Sequence, residues 1–502
     1  MSAAVKALDA TVKATDNEAA IGHNAPLVKE AESGSEGTMD RQWAWPEESF
    51  MAGCIGKAAS FWHDHILSDG SIPERDRQQM YGWIKDGVDA TSFMGRWKGR
   101  FANKAYDSDL PQPFAARNHP MPDADQRAFA TSEVMNLLAT GAVTKTSVKP
   151  TCVLPLGVVR GSKKLRLILD ARYTNNWCTP NAMTFDTLRT YQQGLHQGDW
   201  MISIDFKAGY HHIPLDAKSA QYFGFKWKNE YFTFNVLPFG WNVAPAIFNA
   251  LSTAVAAFIR RRGIHCLVYL DDFSFCLPAE WDEDLRNYWV WMITAIMYLS
   301  GYTISKGKCF LTPTTNLVML GLGIDTVLQR FWVPQEKVTA LMALIAAMRT
   351  THTATILELQ RVVGKAQSLS LAVPPIAVFL RSSYDALAHA ARKGFQVIHL
   401  SEGNLKDLES LGALKEWEVL SSWTSETHVT FRMETDASGR GWGGALYLRG
   451  DKHLVGGAFK GKDRGKAIHI KELLAVQFTL DALGDLLKDC YLDLYTDNTI
   501  VE

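Results

Sequence analysis

Residues 268–275 read VYLDDFSF. Two adjacent aspartates interrupt a run of apolar and aromatic residues that would otherwise make an ordinary buried strand. Like charges side by side repel, and burying even one bare carboxylate is strongly unfavourable unless a cation or a donor compensates it. A hairpin turn, where Asp is common and solvated, is one explanation; a bound divalent cation is the other. The octapeptide by itself leaves both open.

A third aspartate enlarges the question. Asp205 ends the apolar run WMISID at residues 200–205, which is expected to be a strand. Metal-dependent phosphoryl transfer needs carboxylates from different strands converging on two ions about 3.5–4 Å apart. A strand-end Asp beside a hairpin Asp-Asp supplies such a set, as a geometric possibility.

The rest of the chain bounds the reading. Its 502 residues exceed one core and predict about three domains. The 47% hydrophobic share is that of a globular protein. Seven scattered cysteines with no CxxC pair argue against a disulfide framework or a zinc site and fit a reducing compartment. The apolar run at 288–299 is too short to span a bilayer, and the N-terminus lacks a secretory pattern, so an intracellular, non-secreted protein without a membrane partner is expected. Lys plus Arg number 52 against 53 Asp plus Glu, so whole-chain charge does not favour nucleic acid. Three local segments are basic: 96–104, 158–172 and 259–262. Each also fits a solvated face.

Composition and periodicity divide the chain as 1–42, 43–124, 125–331, 332–426 and 427–502, with no internal repeat. The first segment is predicted to be a disordered tail, and the second a mainly helical extension whose role the sequence does not disclose. Helices are expected at 125–139, 245–259, 282–299 and 337–348, and from the capping box TILE at 355–358 to the prolines at 374–375. Hairpins are expected across 152–172, turning at Gly161-Ser162, and across 222–236. Strands return from about residue 428, with one further helix near 469–483. The overall class is α/β.

Six segments in order, KLRLILDAR, SIDFKAGYHHIPL, FNVLPFGWNVAPAIFN, VYLDDFSF, GYTISKGKCF and LGLGID, resemble the successive motifs of reverse transcriptases. The flavour is that of retrotransposon polymerases, and LQRVVGKAQ and TDASGRGWGGAL are similar to DIRS-type elements. The resemblance runs from about Ser132 to the C-terminus. It implies a right-hand polymerase whose fingers and α+β palm occupy 125–331 and whose thumb or connection helices occupy 332–426, followed by a truncated α/β RNase H-like domain at 427–502.

The resemblance also implies roles. Asp205, Asp271 and Asp272 match the catalytic, metal-holding aspartates, with Asp205 and Asp271 the main ligands of Mg²⁺, for which Mn²⁺ is a substitute. Lys163, Lys164 and Arg166 match the hairpin that grips the dNTP triphosphate, where an Arg fork bonds two oxygens at once. Phe206 falls with the dNTP site, and Tyr210 matches the bulky residue that excludes a 2′-hydroxyl. Gly240 matches the dNTP-binding loop that supports nucleotide and template, where a Gly permits close backbone approach. Phe239 stands where many retroviral enzymes have Gln, so stacking or packing must replace a hydrogen bond. Lys308 matches the basic residue that assists pyrophosphate departure, with Lys306 a competing choice. Asp436, Glu472 and Asp497 match the RNase H metal-binding acids.

The implied partners are an RNA template, a DNA primer, their RNA/DNA hybrid and dNTPs; the oligomeric state stays open. The later elements and fourth acid of the RNase H pattern have no counterpart before Glu502, so polymerase competence is expected and RNase H competence doubted. The competing reading is an inactive or domesticated relative that binds nucleic acid without polymerising.

Overall fold

The computed structural model describes residues 58–68, 70, 72–95, 109–161, 164–179, 182–305, 307–415, 417, 423, 429–448, 451–487 and 490–496. The chain falls into two compact units, 1–419 and 420–502. The expected tail at 1–42 and the basic segment at 96–104 lie outside the described residues.

At the heart of the first unit is a four-stranded sheet of β1 (Trp200–Asp205), β2 (Cys266–Tyr269), β3 (Asp272–Leu277) and β4 (Phe310–Thr314), in the order β4-β1-β3-β2. Neighbouring strands run antiparallel. The expected helices form at Ala244–Arg260 and Glu283–Leu299. Pro245 sits in the first turn of one, where its missing N–H is harmless. Asp282 caps the other, accepting from Leu285 N at 2.8 Å. Ile247, Phe248, Leu251, Val255 and Phe258 of the first helix share one core with Met292, Ile293 and Ile296 of the second and with Phe273 and Phe275 of β3. Each such side chain contributes about 1.5–3 kcal/mol by leaving water.

That core includes a segment for which the sequence suggested no role. Phe61, Trp62 and Ile66 are buried in it, and Trp62 Nε1 donates to Ser300 O at 3.0 Å. The 43–124 extension is therefore, in part, a wall of the main core.

The expected hairpin at 152–172 is more elaborate than its composition suggests. Pro155 lacks an N–H and splits the apolar run. Cys152–Leu154 joins a five-stranded sheet, parallel to Gly224–Trp227, while Leu156–Arg160 pairs with Leu165–Leu169. Beyond the central sheet, residues 316–332 make a three-stranded sheet. Helices follow at Gln335–Thr351, Ile356–Gln367, Arg381–Lys393 and Glu402–Ser410. The Thr355–Glu358 capping box forms, but its helix ends at Gln367, and the two prolines open a separate 3₁₀ turn at Pro374–Leu380.

The second unit is a sheet of β5 (Val429–Ala437), β6 (Gly441–Leu448), β7 (Asp451–Ala458) and β8 (Cys490–Tyr495), ordered β7-β6-β5-β8, with β8 parallel to β5. The Ile468–Leu483 helix packs so closely on it that a Cβ at Gly444 would lie 2.2 Å from Thr479 Oγ1. That close packing accounts for one residue of the Gly-rich run GRGWGGAL.

Candidate active site

Strand register assembles the site. In the β1·β3 pairing Asp272 stands directly opposite Asp205, and in the β2·β3 pairing it stands opposite Tyr269. Leu270 and Asp271 are thus the two turn residues of a tight hairpin, so the bland reading of VYLDDFSF describes its shape correctly. Leu270 carries φ +55°, a conformation that two-residue hairpins require but that Leu adopts only under strain of about 1–3 kcal/mol. Gly209 packs beside the turn: a Cβ there would lie 3.5 Å from Asp271 Cβ.

The electrostatics mark the site as short of positive charge. Burial pushes the Asp272 carboxyl above the usual carboxylate range, and the charges of Asp271 and Asp205 push it further. Among the described residues one cation meets the cluster: Lys308 Nζ donates to Asp205 Oδ1 at 2.8 Å and Oδ2 at 3.1 Å. That pairing holds the lysine above its ordinary range. Lys306, the competing choice, lies outside the described residues. Among the described residues no three His, Cys, Asp or Glu side chains lie close enough to hold an ion unaided. Carboxylates are hard oxygen ligands that nonetheless suit Mg²⁺, which takes its remaining ligands from water and substrate phosphates.

Around the acids the sequence-predicted residues divide. Tyr210 is half-buried, its ring 4.9 Å from Phe239 and 5.4 Å from Phe248. Burial and then the Asp271 charge push its hydroxyl upward. Phe239 is 46% exposed, leaving much of its surface open. Gly240 has φ +107°, and a Cβ there would meet Leu169 O at 2.5 Å, so glycine is required here by the chain's own packing. Asn175 Nδ2 fastens the same loop by donating to Gly240 O at 2.8 Å.

Phe206 lies with its side chain in the core. Its ring is 1% exposed and stacks on Tyr302 at 4.4 Å, so only its backbone is available to a nucleotide.

Arg166 and Lys164 are exposed on the Leu156–Leu169 hairpin and make no ion pair among the described residues, whereas Lys163 lies outside them. Other basic residues are already committed. Arg160 pairs with Asp125 at 2.8 Å. Arg172 bonds both oxygens of Asp170 at 2.8 and 2.5 Å, with His119 on Oδ2 at 2.9 Å; chiefly through Arg172, Asp170 is held down to about 2. Within the basic run 259–262, Arg260 pairs with Asp186 and Arg262 lies over the Phe258 ring at 3.4 Å, so two of its three arginines are engaged within the fold, while Arg261 is exposed.

In the second unit Asp436 is exposed on β5, and Glu472 is 4% exposed on the helix that covers that sheet. The neighbouring Lys471 is also buried and donates to Gly439 O at 2.7 Å. Asp497 lies outside the described residues.

Residues 149–324 match the family model for reverse transcriptase (RNA-dependent DNA polymerase), a window containing all three aspartates and narrower than the expected resemblance. The retrovirus-related Pol polyprotein from transposon 297 of Drosophila melanogaster is 25% identical over 164 residues, 32% of this chain and 15% of that polyprotein. Protein P of heron hepatitis B virus is 22% identical over 247 residues, 47% of this chain and 30% of that protein. The chain thus spans less than a third of either relative. Among solved structures, the foamy viral protease-reverse transcriptase dRH in complex with double-stranded DNA superposes with a TM-score of 0.55 at 18% identity, covering 93% of this chain and 76% of that one. The foamy viral protease-reverse transcriptase with RNA/DNA hybrid gives 0.52 at 17%, covering 87% and 57%. At these identities the structural likeness is one of fold.

Proposed function

We propose that this chain is an RNA-directed DNA polymerase of retrotransposon type, adding dNTPs to a primer 3′ end on an RNA template. The observation that carries the reading is the pairing of Asp272 with Asp205, with Asp271 in the adjoining turn, inside the segment similar to reverse transcriptases. In this reading the five-stranded sheet and the Leu156–Leu169 hairpin are fingers, the central sheet is the palm and the helices after Gln335 are the thumb.

Asp205 and Asp271, with Asp272 less directly, would hold Mg²⁺. When bound, the ions supply charge neutralisation for the attacking and leaving oxygens. The chain's own groups position the rest. Arg166 and Lys164 meet the triphosphate as a fork and a point charge. Tyr210, backed by Phe239 and Phe248, fills the space a 2′-hydroxyl would need. Lys308, already at the carboxylates, holds a proton for the departing pyrophosphate. Template and primer are gripped mainly through phosphates, so binding weakens steeply with salt. The second unit, with Asp436, Glu472 and Asp497, is an RNase H-like unit of the DIRS type.

The test is primer extension on an RNA template with Mg²⁺. The unchanged chain should extend and Asp271→Asn should not; equal extension by both would sink the site.

A further inference from the structure

Strand pairing fixes Asp205 and Asp272, but Asp271 lies in the turn. One leg of that turn, β2, has only four residues and is the edge of the sheet. Residues of an antiparallel pair alternately point their N–H and C=O inward and outward. Tyr269 closes the hairpin opposite Asp272, and His265 O accepts from Cys276 N at 2.8 Å, so Cys266 and Val268 present theirs outward. An exposed strand edge of this kind needs partners.

Two side chains provide them. Asp186 Oδ2 accepts from Val268 N at 2.9 Å, and Arg260 Nη2 donates to Cys266 O at 2.8 Å and to Asp186 Oδ2. One ion pair thereby meets an N–H and a C=O that a neighbouring strand would otherwise meet. Both partners are anchored. Asp186 directly precedes Thr187, which caps the Leu188–Gln192 helix, and Arg260 ends the buried Ala244–Arg260 helix. Asn249 Nδ2 also ties the loop to that helix through Thr184 O at 3.2 Å. Next along the loop, the Phe185 ring lies 4.9 Å from the Tyr269 ring, at the base of the turn.

We propose that Asp186 and Arg260 are positioning residues: together they stand in for a fifth strand and, with Phe185 against Tyr269, set where the turn holds Asp271. The proposal rests on the polymerase reading above. Asp271 has no pairing of its own to keep it in place, and a misplacement of about 1 Å at a reacting centre can lower a rate by about 100-fold.

The test uses the full chain in single-nucleotide addition, together with residue-resolved amide hydrogen exchange. Asp186→Ala should lower kcat about 30-fold, with KM for dNTP within about threefold, because the loss is one of alignment and not of nucleotide contact. Asp186→Asn keeps an oxygen for Val268 N–H and should return kcat to within about fivefold of the unchanged chain. In Asp186→Ala the Val268 amide should exchange at least about tenfold faster, while Phe275, paired inside the sheet, is unchanged.

Unchanged kcat in Asp186→Ala overturns the proposal. So does faster exchange at Val268 and Phe275 alike, which would make the pair a general support of the fold. If the unchanged chain does not extend a primer at all, the polymerase reading fails separately, and Val268 exchange alone then decides whether Asp186 holds the strand edge.

Discussion

The two acid sets of this chain are built in different ways. In the first unit Asp205 and Asp272 are brought face to face by strand register, Asp271 is carried on a strained turn, and Lys308 sits on Asp205 as an internal counter-ion. In the second unit Asp436 is exposed on a strand, whereas Glu472 comes from a covering helix and is buried beside Lys471. The first set depends on the hydrogen-bond ladder of one sheet. The second depends on how a helix lies on a sheet, with Gly444 allowing the close approach. Pairing fixes positions residue by residue, whereas helix-on-sheet packing fixes them only through side-chain volume.

The most severe test of this contrast is to neutralise one acid in each set. Asp271→Asn should reduce primer extension by about 10³-fold or more, whereas Asp436→Asn should leave it unaltered; a large loss in both would mean that the sets do not act separately. Next in size is Lys308→Ala. Without the counter-ion, extension should fall about 100-fold. Mn²⁺, followed by electron paramagnetic resonance without nucleotide, should bind more tightly once no ammonium competes for Asp205.

Gly240→Ala probes the backbone that supports the first set. The added Cβ meets Leu169 O in a left-handed conformation, so unfolding free energy in urea should drop by about 1–3 kcal/mol. Smaller, and opposite in sign, is Asp272→Asn. Removing a charge that burial and two neighbouring aspartates disfavour should raise Tm by about 2 °C while extension is lost.

The smallest effect is in acid. Asp170 has a lowered pKa, so the stability that its Arg172 and His119 contacts provide is fully present above about pH 4 and is lost as pH falls toward 2. Urea midpoints at pH 5 and pH 3 should differ less in Asp170→Asn than in the unchanged chain.

Much of the first set was legible in the sequence because it is local. A strand-end Asp and a turn Asp-Asp each lie within a few residues of the apolar pattern that places them. The capping box at Thr355 and Glu358 and the proline at the start of the Ala244–Arg260 helix were legible for the same reason. The burial of the Phe206 ring was not legible, because its stacking partner Tyr302 lies far along the chain. Asp186 and Arg260 were not legible as a pair. They lie 74 residues apart, and nothing near either indicates an ion pair at a strand edge. The Lys308 contact with Asp205 spans 103 residues, and nothing near either residue announces it.

The bond from Trp62 to Ser300 joins positions 238 residues apart. At about 5–20 residues per second, a ribosome needs on the order of tens of seconds to deliver the second partner after the first. For most of that interval the Trp62 indole lacks the core it will enter, because the helices at Ala244–Arg260 and Glu283–Leu299 and strand β3 are not yet made. Synthesis therefore exposes a large apolar surface early and closes it late, so yield on expression should depend on chaperone supply more than the finished fold would suggest.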